Sequence, residues 1–136
     1  MTRRGLLASA AAAAGARAFA PAGATEFQIA CMTLPYGNAP FERALSGIAS
    51  AGYRYVAWGP YQGKEGKRIA LLEPDAPASA ASELARRTRG AGLEPVMMFA
   101  VTYVEAPDAL TVYRRRIEQA AAARIPYVLA FGDIKD

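Results

Sequence analysis

The side chains able to do chemistry share a type more than a motif. Trp58, Tyr61, Thr102, Tyr103 and Asp133 offer aromatic faces, hydroxyls and one carboxylate, and Thr33 and Tyr36 extend the set toward the start of the chain. Aromatic faces suit the apolar faces of sugars, and hydroxyls suit their polar rims. Histidine is absent, which removes the commonest metal ligand and the commonest general base at neutral pH. The single cysteine, Cys31, excludes an internal disulfide and reads as inert core inside an apolar run. Met97 and Met98 have no His or second thiol to make a copper site. Gly63-x-x-Gly66-Lys67 lacks the full spacing of a phosphate loop and the Ser or Thr that follows its lysine.

Each candidate also has a plain structural reading. Trp58 can cap a core. Tyr36 and Tyr61 lie in Gly/Pro-rich loops and can pack there. Thr102 and Tyr103 suit a strand end, and Asp133 after Gly132 suits a turn.

Elements that would position these residues follow from the apolar pattern. Phe27–Met32 is a short apolar run, read as a buried strand, and Thr33–Ala39 is a loop punctuated by Pro35, Gly37 and Asn38. Pro40 opens a helix whose stripe is Phe41, Ala44, Leu45 and Ile48, capped at Gly52. Tyr53–Trp58 is the second strand. Gly59–Ala76 is a long connection, with a helical turn expected over Lys67–Leu72. Ala78–Ala91 is the second helix, with the stripe Ala81, Leu84, Ala85 and Thr88 and a cap at Gly92. Glu94–Val101 is the third strand. Pro107–Ala123 is the third helix, with Leu110, Tyr113, Ile117, Ala120 and Ala121 on one side, and Tyr127–Phe131 is the fourth strand. The strands are nearly continuous in apolar character, as parallel strands covered on both faces must be. The order predicts a wound α/β fold with a parallel sheet; an open doubly wound sheet could finish with four or five strands, and the favoured reading is the parallel (β/α) barrel type, with four strands present and candidate site residues at their C-terminal ends. A full barrel needs eight strands and about 250 residues, so residues 25–136 are expected to be the N-terminal half of one.

The net charge of +4 does not describe the whole chain evenly. Residues 1–24 hold Arg3, Arg4 and Arg17 and no acid, which leaves 13 Lys and Arg against 12 Asp and Glu from Thr25 onward. A nearly neutral body argues against nucleic acid as a partner. Arg86-Arg87 and Arg114-Arg115-Arg116 read as solvated helix faces. The segment 1–24 has a charged start, an Ala-rich middle and the small-residue zone Ala22-Gly23-Ala24, the layout of a secretory signal. Arg3-Arg4 followed by Gly5-Leu6-Leu7 resembles a twin-arginine signal, with Arg3 and Arg4 as the recognised pair and cleavage after Ala24. That implies contact with the twin-arginine translocation machinery, export in the folded state and a periplasmic or secreted destination. Past the leader no uncharged run of 18 apolar residues occurs, so no stable membrane span is expected.

Three segments carry a resemblance. Leu45-Ser46-Gly47-Ile48-Ala49-Ser50-Ala51-Gly52-Tyr53-Arg54-Tyr55-Val56 is similar to the helix-to-strand turn of xylose isomerase-like barrels, the sugar phosphate isomerase/epimerase family. Ala91-Gly92-Leu93-Glu94-Pro95-Val96 resembles that family's entry into the third strand, and Arg115 to Val128 resembles its long third helix leading into strand four. The resemblance implies an isomerase or epimerase acting on a sugar or polyol by a metal-assisted proton or hydride shift. The divalent metal would be held by ligands on later strands, with none supplied by this chain. Two departures stand out: Ala57 occupies a position where the family often has Glu, and Phe99-Ala100-Val101-Thr102 lacks the family's His. They favour an alternative, a non-catalytic carbohydrate-binding barrel. An abasic-DNA endonuclease shares this fold but needs a basic face.

Overall fold

The computed structural model describes residues 27–132. The chain runs β1 (Ala30–Met32), a 3-10 turn (Leu34–Tyr36), α1 (Phe41–Ser50), β2 (Tyr55–Trp58), β3 (Tyr61–Lys64), β4 (Lys67–Ala70), α2 (Ala78–Gly90), β5 (Glu94–Tyr103), α3 (Ala109–Ala123) and β6 (Tyr127–Phe131). It is an α/β fold. Strands β1, β2, β5 and β6 form one sheet in that order, and every pairing in it is parallel. The first two strands are shorter than the apolar runs predicting them, because only Ala30–Met32 and Tyr55–Trp58 find ladder partners. Among the described residues, no helix is long and apolar enough to cross a membrane.

The first two helices follow their stripes. Phe41, Ala44, Leu45 and Ile48 are buried on α1, and Ala81, Leu84, Ala85 and Thr88 on α2. Gly52 and Gly92 take positive φ just past the helix ends, where a Cβ would be strained. The core joins side chains of all three helices to one face of the sheet, where Cys31, Val56, Trp58, Met98 and Val128 lie in register or alternate with it. Because strand side chains alternate, Met32, Ala57, Met97, Phe99, Leu129 and Phe131 belong to the other face.

Two expectations are overturned. Lys67–Ala70 is not a helical turn but the return strand of an antiparallel hairpin, pairing Tyr61 with Ala70 and Lys64 with Lys67. Its two-residue loop, Glu65-Gly66, has positive φ at both positions, the geometry that matches the twist of the flanking strands. The hairpin docks on the first loop: the Gly63 amide donates to the Ala39 carbonyl at 2.8 Å, and a Cβ on Gly63 would collide with the Asn38 backbone. Gly63→Ala should therefore lower stability by about 1–3 kcal/mol, as overpacking does. Urea titration checks this, and an unchanged midpoint would show that the hairpin is not docked there.

The second correction is the orientation of α3. Leu110 and Ile117 are exposed, whereas Arg116 and Gln119 are buried. Arg116 is therefore not part of a solvated face. The small residues Ala109, Ala120 and Ala123, buried on the same side of α3, leave room for these two long polar chains to lie against the rest of the fold. Pro107 and Asp108 precede the helix, which begins at Ala109.

Candidate functional site

The C-terminal ends of the parallel strands converge on one rim, and their side chains are held by a few specific bonds. Thr33, just past β1, is buried. Its amide donates to the Ala57 carbonyl at 3.0 Å, and its Oγ1 accepts the Gly59 amide at 2.7 Å, tying the ends of β1 and β2 together. Gly59 tolerates this approach because a Cβ there would lie 3.0 Å from the Leu34 amide nitrogen.

Trp58 ends β2 but turns toward the helices. It is 2% exposed, meets Phe41 edge-on with ring centroids 6.3 Å apart, and its Nε1–H donates to Thr88 Oγ1 at 3.2 Å. The Thr88 hydroxyl in turn donates to the Leu84 carbonyl at 2.8 Å. Tyr61 sits on the hairpin, 39% exposed.

Thr102 and Tyr103 close β5 beside β6. Tyr103 is 55% exposed and lies at 6.3 Å from Phe131, which stacks on Phe99 at 5.5 Å. The three rings thus meet at the rim, with Phe99 buried beneath the exposed Phe131 and Tyr103. Asp133, Arg3 and Arg4 lie outside the described residues. The structure brings Thr102 and Tyr103 together with two rings that the sequence reading did not select, and it turns Trp58 toward the helix-covered face of the sheet instead. Phe99 and Phe131 were visible as apolar strand positions; what marks them is register, which sequence periodicity does not supply.

The β5 end is shaped by an irregularity. Its register with β6 shifts between Phe99 and Tyr103, and Val101 takes φ +64. A β-branched residue in the left-handed region is strained. Side chains of α3 hold the carbonyls on either side: Arg116 Nε–H donates to Ala100 O at 3.4 Å, and Tyr113 Oη–H donates to Thr102 O at 3.0 Å. Arg116 also donates to Leu72 O at 2.9 Å and to Gln119 Oε1 at 2.8 Å. Gln119 Nε2–H donates to Ala76 O at 2.8 Å and Glu73 O at 3.0 Å. One polar pair therefore fastens both the β5 bulge and the loop from the hairpin to α2. Burial pushes the Arg116 guanidinium below its ordinary value, and the Glu73 charge opposes that shift. A guanidinium remains charged across the physiological range all the same.

A cavity of about 10 Å³ lies between the ends of β2 and β5, bordered by Trp58, Gly59, Val101 and Arg116. It has room for about one water molecule and not for a larger ligand. Among the described residues no three His, Cys, Asp or Glu side chains gather as a metal-holding group. No family model, curated protein or solved structure matches this chain.

Proposed function

We propose that residues 25–136 are the N-terminal half of an exported sugar isomerase/epimerase-like (β/α) barrel protein, and that this half contributes binding surface for a sugar or polyol. The observation that carries the binding role is the pair of exposed rings Phe131 and Tyr103 at the C-terminal ends of parallel strands, with Phe131 backed by the buried Phe99 and Thr102 beside Tyr103. Ring faces can take the apolar face of a pyranose or the carbon chain of a polyol, while the Tyr103 hydroxyl addresses its oxygens. The barrel reading is supported by the winding. The strands lie in the sheet in chain order, and helices from all three crossovers pack on the same face. A doubly wound sheet reverses its strand order and carries helices on both faces, whereas a barrel does neither.

In this reading Trp58 stabilises the strand end from the helix side, and Tyr61 on the hairpin borders the site. The metal-assisted shift would be carried by ligands outside the described residues, and export by the Arg3-Arg4 leader. A non-catalytic carbohydrate-binding barrel is the second reading. Ala57, in place of the carboxylate that the resemblance leads one to expect, favours it.

The test is a titration of protein from the periplasmic fraction, with its N-terminus expected at Thr25. Aldoses and polyols are added with and without divalent cation, followed by amide chemical shifts. Shifts should centre on residues 99–104 and 129–132, and Tyr103→Ala should weaken binding roughly tenfold, the worth of one aromatic contact. Deuterium uptake from solvent into the bound sugar separates an enzyme from a binder. Shifts confined to other regions, or binding that ignores Tyr103→Ala, would end the proposal.

A further inference from the structure

β5 reaches Tyr103 by an irregular path. Phe99 lies opposite Leu129 and Tyr103 opposite Phe131, so four steps along β5 match two along β6. Continued without a break, the parallel register would set Val101 opposite Phe131. The two extra residues are absorbed at Val101, whose φ is +64, a conformation that a β-branched residue adopts only under strain. Beyond it the pairing resumes, with the Val104 amide donating to the Phe131 carbonyl at 2.9 Å. The consequence lies at the rim, where a phenol and not an isopropyl group stands beside the exposed Phe131 ring, 6.3 Å between centroids.

A strained bulge persists only where its surroundings hold it, and here two side chains of α3 do so. Tyr113 and Arg116 are three residues apart and so project from one side of the helix. Tyr113 Oη–H donates to Thr102 O at 3.0 Å, and Arg116 Nε–H donates to Ala100 O at 3.4 Å, one bond on each side of Val101. Two hydrogen bonds to backbone carbonyls and one strained residue are of comparable size, so the irregular and the regular register lie close in free energy. We propose that β5 has two registers against β6, and that Tyr113 and Arg116 are positioning residues holding the one in which Tyr103 meets Phe131. For its effect on ligand affinity this rests on the sugar-binding reading above, which it deepens by making the rim conditional on α3. The register itself is readable without sugar.

Nuclear Overhauser effects between the ring protons of Tyr103 and Phe131, measured without ligand, test this. The wild-type protein should show them. Tyr113→Phe keeps the ring and removes one bond, so they should fall by about half or more, while contacts from the Val101 methyl groups to the Phe131 ring grow and the far-ultraviolet dichroism stays unchanged. Glycine takes positive φ without strain, so Val101→Gly added to Tyr113→Phe should restore the ring contacts. A merely structural role for the Tyr113 hydroxyl would not be rescued from a second residue in this way. Sugar affinity should follow the rings, about twofold weaker or more in Tyr113→Phe and recovered in the double variant. Ring contacts that Tyr113→Phe leaves at wild-type strength would overturn the proposal, as would a loss that Val101→Gly does not restore, or rings that separate while sugar affinity holds. A protein that binds no sugar ends the binding reading alone, because the ring contacts still decide the register.

Discussion

Trp58→Ala is expected to lower the free energy of unfolding by about 4 kcal/mol, in the range for emptying a large aromatic from a core. The side chain is 2% exposed, its ring meets Phe41 at an interplanar angle of 85°, and its indole N–H is satisfied by Thr88. Since small domains are stable by only about 5–15 kcal/mol, such a loss removes a large part of the margin. The measurement is urea denaturation followed by far-ultraviolet dichroism, because the variant loses the only tryptophan in the chain. Trp58→Phe should cost less, about 1–2 kcal/mol, since it keeps an aromatic in place and Thr88 keeps its bond to Leu84. It should also leave the binding proposed above unchanged, whereas Tyr103→Ala should weaken it roughly tenfold. A cost below about 1 kcal/mol for Trp58→Ala would place the indole outside the core.

Arg116→Met is expected to cost about 3 kcal/mol, and two effects compete in setting that figure. Removing a buried cation relieves its desolvation, and a methionine of similar length fills much of the space, which favours the variant. Against this, Leu72 O and Ala100 O lose their donors in a buried setting, and Gln119 loses the partner that orients it. Among the described residues no carboxylate forms a salt bridge with Arg116, so no orphaned charge is left behind there; the cost lies in unsatisfied carbonyls, each worth about 1–3 kcal/mol. The loss should be accompanied by faster amide exchange in residues 71–76 and 100–103, the two segments that the guanidinium joins. Arg116→Lys should recover only part of it, because an ammonium cannot reproduce the planar spread of a guanidinium over three acceptors. An Arg116→Met variant as stable as the wild type would mean that relief of desolvation outweighs the three bonds.

The stripe of α1 and the stripe of α2 could be read directly, residue by residue, because each is a local property. Apolar side chains at 3.6 spacing must turn together toward whatever core exists, and Phe41, Leu45, Ile48, Leu84 and Ala85 do so. The alternation of strand and helix, the parallel sheet and the glycine caps at Gly52 and Gly92 were legible for the same reason. The hairpin was not. Its turn depends on Glu65 and Gly66 both adopting positive φ, and its strands are apolar too weakly to betray themselves before they pair.

The candidate site was legible only as a set of strand ends. Periodicity says that residues alternate across a strand, but it does not say which alternate face meets the helices. That choice sent Trp58 into the core and left Tyr103 at the rim with Phe99 and Phe131. On α3 the apolar pattern was outweighed. Leu110 and Ile117 stay in water because Arg116 and Gln119 satisfy carbonyls of a loop some forty residues earlier, together with Ala100 O, and a buried carbonyl without a donor costs more than an exposed leucine. What this sequence determined by itself is the order of elements and the inward faces of its first two helices, since those depend on neighbours within a turn or two. Tertiary structure alone decided which polar side chains are buried, which aromatic rings meet and how β5 ends, since each of these is set by hydrogen-bond partners or register brought from a distant part of the chain.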